Sequence, residues 1–153
     1  MTHRKQVGFF ILIVLGFIFL AMLFLGQMMS FIDYEFTVSI GLQESVDVIG
    51  EMGVAVNRGF GVGDTIIYIP LLVTGLVGLL IRKKWGLFAM AAALGITAYW
   101  PVVSLFILLF ARGTPGFHFT DFTAYTVLLT AFTLYGLWGL GYVYRNRKKL
   151  AEY

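Results

Sequence analysis

Four stretches of this chain carry no Asp, Glu, Lys or Arg: residues 6–32, 65–81, 85–111 and 122–144. A bilayer core of about 30 Å is crossed by roughly 20 apolar residues of α-helix, with a working range of about 17–25. Inside that core every backbone N–H and C=O must be bonded within the segment, which makes helix the solution for a single run. Composition agrees, since hydrophobic residues make up 59% of the chain and charged ones 12%, against about 45–50% and about 25% in soluble globular domains. The sequence therefore predicts an all-α integral membrane protein. It is a single domain over residues 1–153, folded as a four-transmembrane-helix antiparallel bundle. The expected spans lie near 7–31, 64–81, 86–111 and 120–144.

The first span opens on the basic "THRK" of a secretory signal. Its apolar part, "VGFFILIVLGFIFLAMLFLG", outruns a signal core of about 7–15 residues, and "GQMMSF" has no small-x-small cleavage pattern. It is expected to be a retained helix.

Charge placement predicts orientation. Arg4, Lys5, Arg82, Lys83, Lys84, Arg145, Arg147, Lys148 and Lys149 flank the spans on one side, nine of the eleven basic residues. Asp33, Glu35, Glu44, Asp47, Glu51, Asp64 and Asp121, seven of the eight acidic ones, fall on the other. Lys and Arg in short loops remain on the cytoplasmic face, so a multi-pass protein integral to the cell membrane, with both termini cytoplasmic, is expected. The net charge of +3 serves topology and anionic headgroups, so membrane lipids are the expected partners and nucleic acid is not.

The chain has no cysteine, which excludes thiol–disulfide chemistry and thiolate zinc sites. Its two histidines, His3 and His118, fall on opposite sides of the membrane and cannot together ligate a haem. Glu44, Asp47 and Glu51 recur at i, i+3 and i+7 without the dense glycine-turn ligand spacing of a calcium loop, and read as a solvated face. No metal and no cofactor is expected. There is also no nucleophile elbow, phosphate loop or His-Glu zinc pattern.

The first outer loop is about thirty residues long. In "DYEFTVSI", Tyr34, Phe36, Val38 and Ile40 alternate with polar residues, the period of a half-buried strand over 33–40. "LQESVDVIGEM" suits a short amphipathic helix over about 42–52, and "NRGFGVG" at 57–63 reads as a flexible run into the second span.

Two segments share one spacing. "FGVGDTIIYIPLL" and "FHFTDFTAYTVLL" align Phe60, Asp64, Tyr68, Leu71 and Leu72 with Phe117, Asp121, Tyr125, Leu128 and Leu129. "RKQVGFF" and "RKKWGLF" lead into spans one and three, so the chain can be laid out as a tandem two-helix repeat, 4–81 and 82–149, related by an axis along the membrane normal. Asp64 and Asp121 are expected as N-caps of their helices, with the tyrosines about 6 Å further along the same face.

Span three adds "ITAYWPVVS". Trp100 near mid-membrane departs from the interfacial preference of tryptophan. Pro101 and Pro70 free the carbonyls of Thr97 and Ile66. These features predict an outward-facing cleft that binds or transports a small lipophilic molecule or lipid. Its expected lining is Asp64, Tyr68, Tyr99, Trp100, Asp121 and Tyr125, with His118 and Arg112 as acid–base or gating groups. The alternatives are a non-catalytic scaffold or accessory subunit and an outer-leaflet lipid-modifying enzyme. Small-residue strips at Thr74, Gly75 and Gly78, at 89–97, and at Gly136 and Gly139 serve either internal packing or a homodimer or larger membrane complex.

Overall fold

The structure, a computed structural model, describes residues 3–115, 117–118 and 121–150. Among the described residues every regular element is helical. Helix α1 comprises His3–Met22, a π-helical turn Leu23–Met28 and a last turn Met29–Ile32. Helix α2 is Tyr34–Ser39. Helix α3 runs through Val46–Gly63, a second π-helical turn Asp64–Tyr68, and Ile69–Leu80. Helices α4 and α5 are Lys84–Ala111 and Phe122–Leu150. Four segments are long and apolar enough to cross a membrane: Gln6–Ile32, Val46–Leu80, Lys84–Ala111 and Phe122–Leu150.

The strand expected over 33–40 is replaced by α2. Asp33 breaks from α1 at φ −143° and accepts the Phe36 N–H on Oδ1 at 3.1 Å, capping the new helix. The Thr37 hydroxyl donates to the Tyr34 carbonyl at 2.6 Å. Wound as helix, Tyr34 and Thr37 fall together on the buried side. An alternation over so few residues fits either periodicity, and the cap and the burial of that face decide for helix.

The second outer element also differs from expectation. Residues 42–45 are non-helical, α3 begins at Val46, and it breaks at Gly50 (φ 70°, ψ 170°) before continuing into the second span. That span therefore starts well before Asp64. The glycines of "NRGFGVG" are helical. A Cβ at Gly61 would lie 2.5 Å from the Gln27 carbonyl oxygen and 2.6 Å from Ser30 Oγ. Glycine at 61 lets two backbones approach and does not mark a loop.

The spans form a ring. Helix α3 packs against α4 through glycine: a Cβ at Gly75 would meet Met90 Cα at 2.7 Å, and one at Gly78 would collide with the Gly86 backbone. Between them, Arg82 takes φ 56°, Lys83 N–H bonds the Gly78 carbonyl at 2.7 Å and Arg82 N–H that of Leu79 at 3.2 Å. This is a Schellman closure that satisfies the last carbonyls of α3. Helix α5 meets α4 at Gly136, where a Cβ would lie 2.6 Å from Ala98 N. It closes the ring on α1, where the Tyr135 hydroxyl donates to the Leu12 carbonyl at 2.9 Å. Gly75, Gly78, Gly136 and Gly139 are thus all consumed inside the bundle.

Arg82, Lys83 and Lys84 lie at one end of the ring with the last turn of α5, hereafter the basic end. The 33–45 segment and the connection from α4 to α5 lie at the other, the loop end. There the His118 N–H donates to the Val48 carbonyl at 2.8 Å, joining the α4–α5 connection to the first turn of α3. Pro101 stands within an unbroken α4, while Pro70 is the second residue after the π turn of α3.

Candidate functional site

The two π-helical turns face one another. Such turns place one extra residue in the helix and recur at functional sites. Leu23–Met28 of α1 packs against Asp64–Tyr68 of α3, and between these turns, α4 and α5 lies a cavity of about 750 Å³. That size lies within the range of roughly 300–1,000 Å³ typical of small-molecule sites.

Its wall is mainly apolar. Phe19 meets Phe132 edge-on at 4.4 Å between ring centroids, and Phe132 meets Trp100 at 6.4 Å; all three line the space. From α4, Trp100, Ser104, Leu108 and Ala111 contribute one continuous face, as positions three to four apart on a helix must. Helix α5 adds Tyr125, Leu128 and Leu129, and Phe117 reaches in from the α4–α5 connection.

The polar contribution is small and asymmetric. A network laces the loop end together. Gln43 Nε2 donates to the Gly26 carbonyl at 3.2 Å, and Asn57 Nδ2 donates to Gln43 Oε1 at 2.8 Å and to the Tyr34 hydroxyl at 3.2 Å. The Tyr34 hydroxyl donates to the Glu44 carbonyl at 2.9 Å. Burial pushes the Tyr34 phenol above its ordinary value, the Asn57 bond opposing and the Glu44 charge reinforcing the shift. The Tyr125 hydroxyl reaches Glu44 Oε1 at 3.3 Å, tying α5 to the same network. Two buried polar atoms on cavity residues, Gln27 Oε1 and Trp100 Nε1, have no hydrogen-bond partner among the described residues.

Asp64 is the outlying feature. It lies in the interior of α3 and caps nothing, its backbone being helical at φ −65°, ψ −38°. The expected N-cap is therefore corrected to a buried acid, 7% exposed, lining the cavity. No cation and no hydrogen-bond donor among the described residues lies against its carboxylate. Asp121, by contrast, does cap its helix: Oδ1 accepts the Ala124 N–H at 3.2 Å, and the side chain is exposed. The two aspartates of the shared spacing thus occupy different positions in their helices, one interior and one terminal.

Of the expected lining, the structure brings together Asp64, Trp100 and Tyr125. Tyr68 is buried against α4 instead, 1% exposed, its hydroxyl paired with that of Thr97 at 2.5 Å. Thr97 donates its own proton to the Ala93 carbonyl at 2.8 Å, so Tyr68 is the donor. It lies one turn beyond Asp64, towards the basic end. Tyr99 is 70% exposed on the outside of α4, since neighbours on a helix point about 100° apart and Trp100 holds the inward position. Asp121, Arg112 and His118 are exposed and outside the lining. The Arg112 guanidinium stacks over Phe122 at 5.6 Å, and His118 acts through its backbone.

Gln27, Ser104 and Glu44 belong to the polar lining as well, with Gln43, Glu51, Asn57 and Thr114. Gln27 carried a signal: of the two amides in a 27-residue charge-free run, Gln6 sits at its edge and Gln27 within it, where an unbonded polar group is costly. Ser104 is four residues from Trp100, on its face. Among the described residues, no group of His, Cys, Asp or Glu is placed to hold a metal ion. Comparison with protein-family models, with curated proteins and with solved structures finds no match.

Proposed function

We propose that this protein binds or transports a small lipophilic molecule in the cavity at its loop end. One observation carries the reading. The bundle is tightly packed through glycine over its basic half, yet leaves about 750 Å³ among Phe19, Trp100 and Phe132, beside polar atoms that have no partner of their own. Packed interiors hold few voids larger than a water molecule, and buried polar groups ordinarily have partners. A cavity of this size with orphaned polar atoms in its wall is supported as a ligand site by both rules. Exposed aromatics such as Phe88 and Phe110 on the outer faces suit membrane lipids as the surrounding solvent. The basic end is read as cytoplasmic, supported by nine of eleven basic residues near it.

Absence of cysteine provides the test, because a single introduced thiol is the only one. Ser104→Cys places it in the cavity wall and Ser39→Cys places one at the exposed loop end. Octan-1-ol is expected to slow N-ethylmaleimide labelling of Ser104→Cys by roughly tenfold near saturation and to leave Ser39→Cys unchanged. A membrane-impermeant maleimide is expected to label Ser39→Cys in intact cells. Equal labelling of Ser104→Cys with and without octanol removes the binding reading and leaves the scaffold one. Protection of Ser39→Cys in intact cells reverses the orientation.

A further inference from the structure

The cavity carries charge of one sign. Glu44, Glu51 and Asp64 line it, and among the described residues no Lys, Arg or His does. Glu44 is held in the hydrogen-bond network of the loop end and Glu51 is exposed. Asp64 differs from both, being more than nine-tenths buried without a partner and directed into an apolar space. An ionised carboxylate in such surroundings is strongly unfavourable until an opposite charge joins it. Trp100 lies in the same wall, and aromatic rings attract cations. Phe19, Phe132 and Leu129 offer the hydrocarbon surface that a hydrophobic body would cover.

We infer that the cavity selects an amphiphilic amine, its ammonium against Asp64 and its hydrocarbon body against the aromatic wall. This inference rests on the binding reading above and specifies its ligand class. An ammonium could also arrive on an aminophospholipid. Such a headgroup brings a phosphate beside its ammonium, into a cavity lined by three acids and no base, where like charges repel. The free amine is the better match.

Three probes of one length separate charge from hydrophobicity: octylammonium, octan-1-ol and octanoate. Each is titrated against maleimide labelling of Ser104→Cys in nanodiscs of phosphatidylcholine, with Ser39→Cys as the control. Octylammonium is expected to protect at a concentration roughly tenfold or more below octanol, the scale of a charge-assisted hydrogen bond, and octanoate to protect worst. Adding Asp64→Asn is expected to bring octylammonium to the level of octanol without moving octanol itself. Including phosphatidylethanolamine in the discs is expected to leave the octylammonium titration unchanged. Should octanol and octylammonium protect equally in the Asp64 protein, the cation inference falls while the cavity reading stands. That comparison needs no variant at position 64, so a misfolded Asp64→Asn protein does not shield the inference. If Asp64→Asn folds and keeps the preference, Asp64 is not the counter-ion. If phosphatidylethanolamine displaces octylammonium, the ammonium source is a lipid headgroup and the free-amine inference is overturned. Failure of all three probes removes the binding reading as well.

Discussion

The basic half and the loop half of this bundle are built on opposite rules. Towards the basic end, helices touch backbone to backbone at Gly75, Gly78 and Gly86, and the leucines there are sealed, Leu76 and Leu79 being essentially inaccessible. Towards the loop end, two π turns replace regular winding, a cavity separates the helices, and an acid is buried without a partner. Association of helices in lipid depends on close packing, because lipid tails are as apolar as leucine. The loop half keeps a close approach of α1 on α3 at Gly61. The comparison teaches that the space left between that pair and α4 and α5 is what is available for a ligand, held in place by the packed basic half.

The contrast is broken most severely at Gly78. A leucine there must push α3 off the Gly86 backbone, and neither backbone can yield. Gly78→Leu is expected to cost about 3 kcal/mol or more and to abolish the monodisperse peak in size-exclusion chromatography. A folded, normally eluting Gly78→Leu protein would show that the basic half is not the rigid one.

Tyr135→Phe is a milder probe. It removes the bond to the Leu12 carbonyl that closes the ring, while the ring stack on Phe19 at 5.2 Å remains possible. A loss of about 0.5–1 kcal/mol is expected, read as a lower thermal unfolding midpoint in mild detergent. No change would mean that closure relies on packing alone.

The smallest effect sharpens the comparison by reversing sign. A Cβ at Gly63, in the loop half, meets nothing within 4 Å, and Gly63 is helical. Gly63→Ala is expected to raise stability by about half a kcal/mol through helix propensity, whereas Gly75→Ala drives a methyl into the Met90 backbone and lowers it. Opposite shifts in the same unfolding assay check the pair; shifts of one sign would erase the distinction.

Much of the scaffold was readable because charge-free length and glycine strips depend on local sequence. Three of the cavity residues, Asp64, Trp100 and Tyr125, were readable too, through an acid at a span start, a tryptophan near mid-membrane and the spacing that Tyr125 shares with Tyr68. Other features depend on helix phase and neighbours. Tyr99 and Trp100 are adjacent, and composition does not say which faces inward; only the packing of α4 on α3 and α5 selects Trp100. The start of α3 was hidden because Gly59, Gly61 and Gly63 look like a loop until α1 is seen pressed against Gly61. Asp64 resembled a cap because nothing in the sequence announces a π turn, and the same letters at Asp121 really do begin a helix.

The bond from Tyr135 to Leu12 joins the last helix to the first, and that has a consequence for biosynthesis. A polypeptide is made from its N-terminus, so α5 leaves the ribosome after α1, α3 and α4. Tyr125, Leu129 and Phe132, which form one side of the cavity, arrive only then. Before that moment a chain holding α1, α3 and α4 has an open flank, with Asp64 turned towards whatever surrounds the unfinished ring. The enclosure around Asp64 is therefore acquired only when α5 joins the ring, and no fragment that ends before α5 carries it.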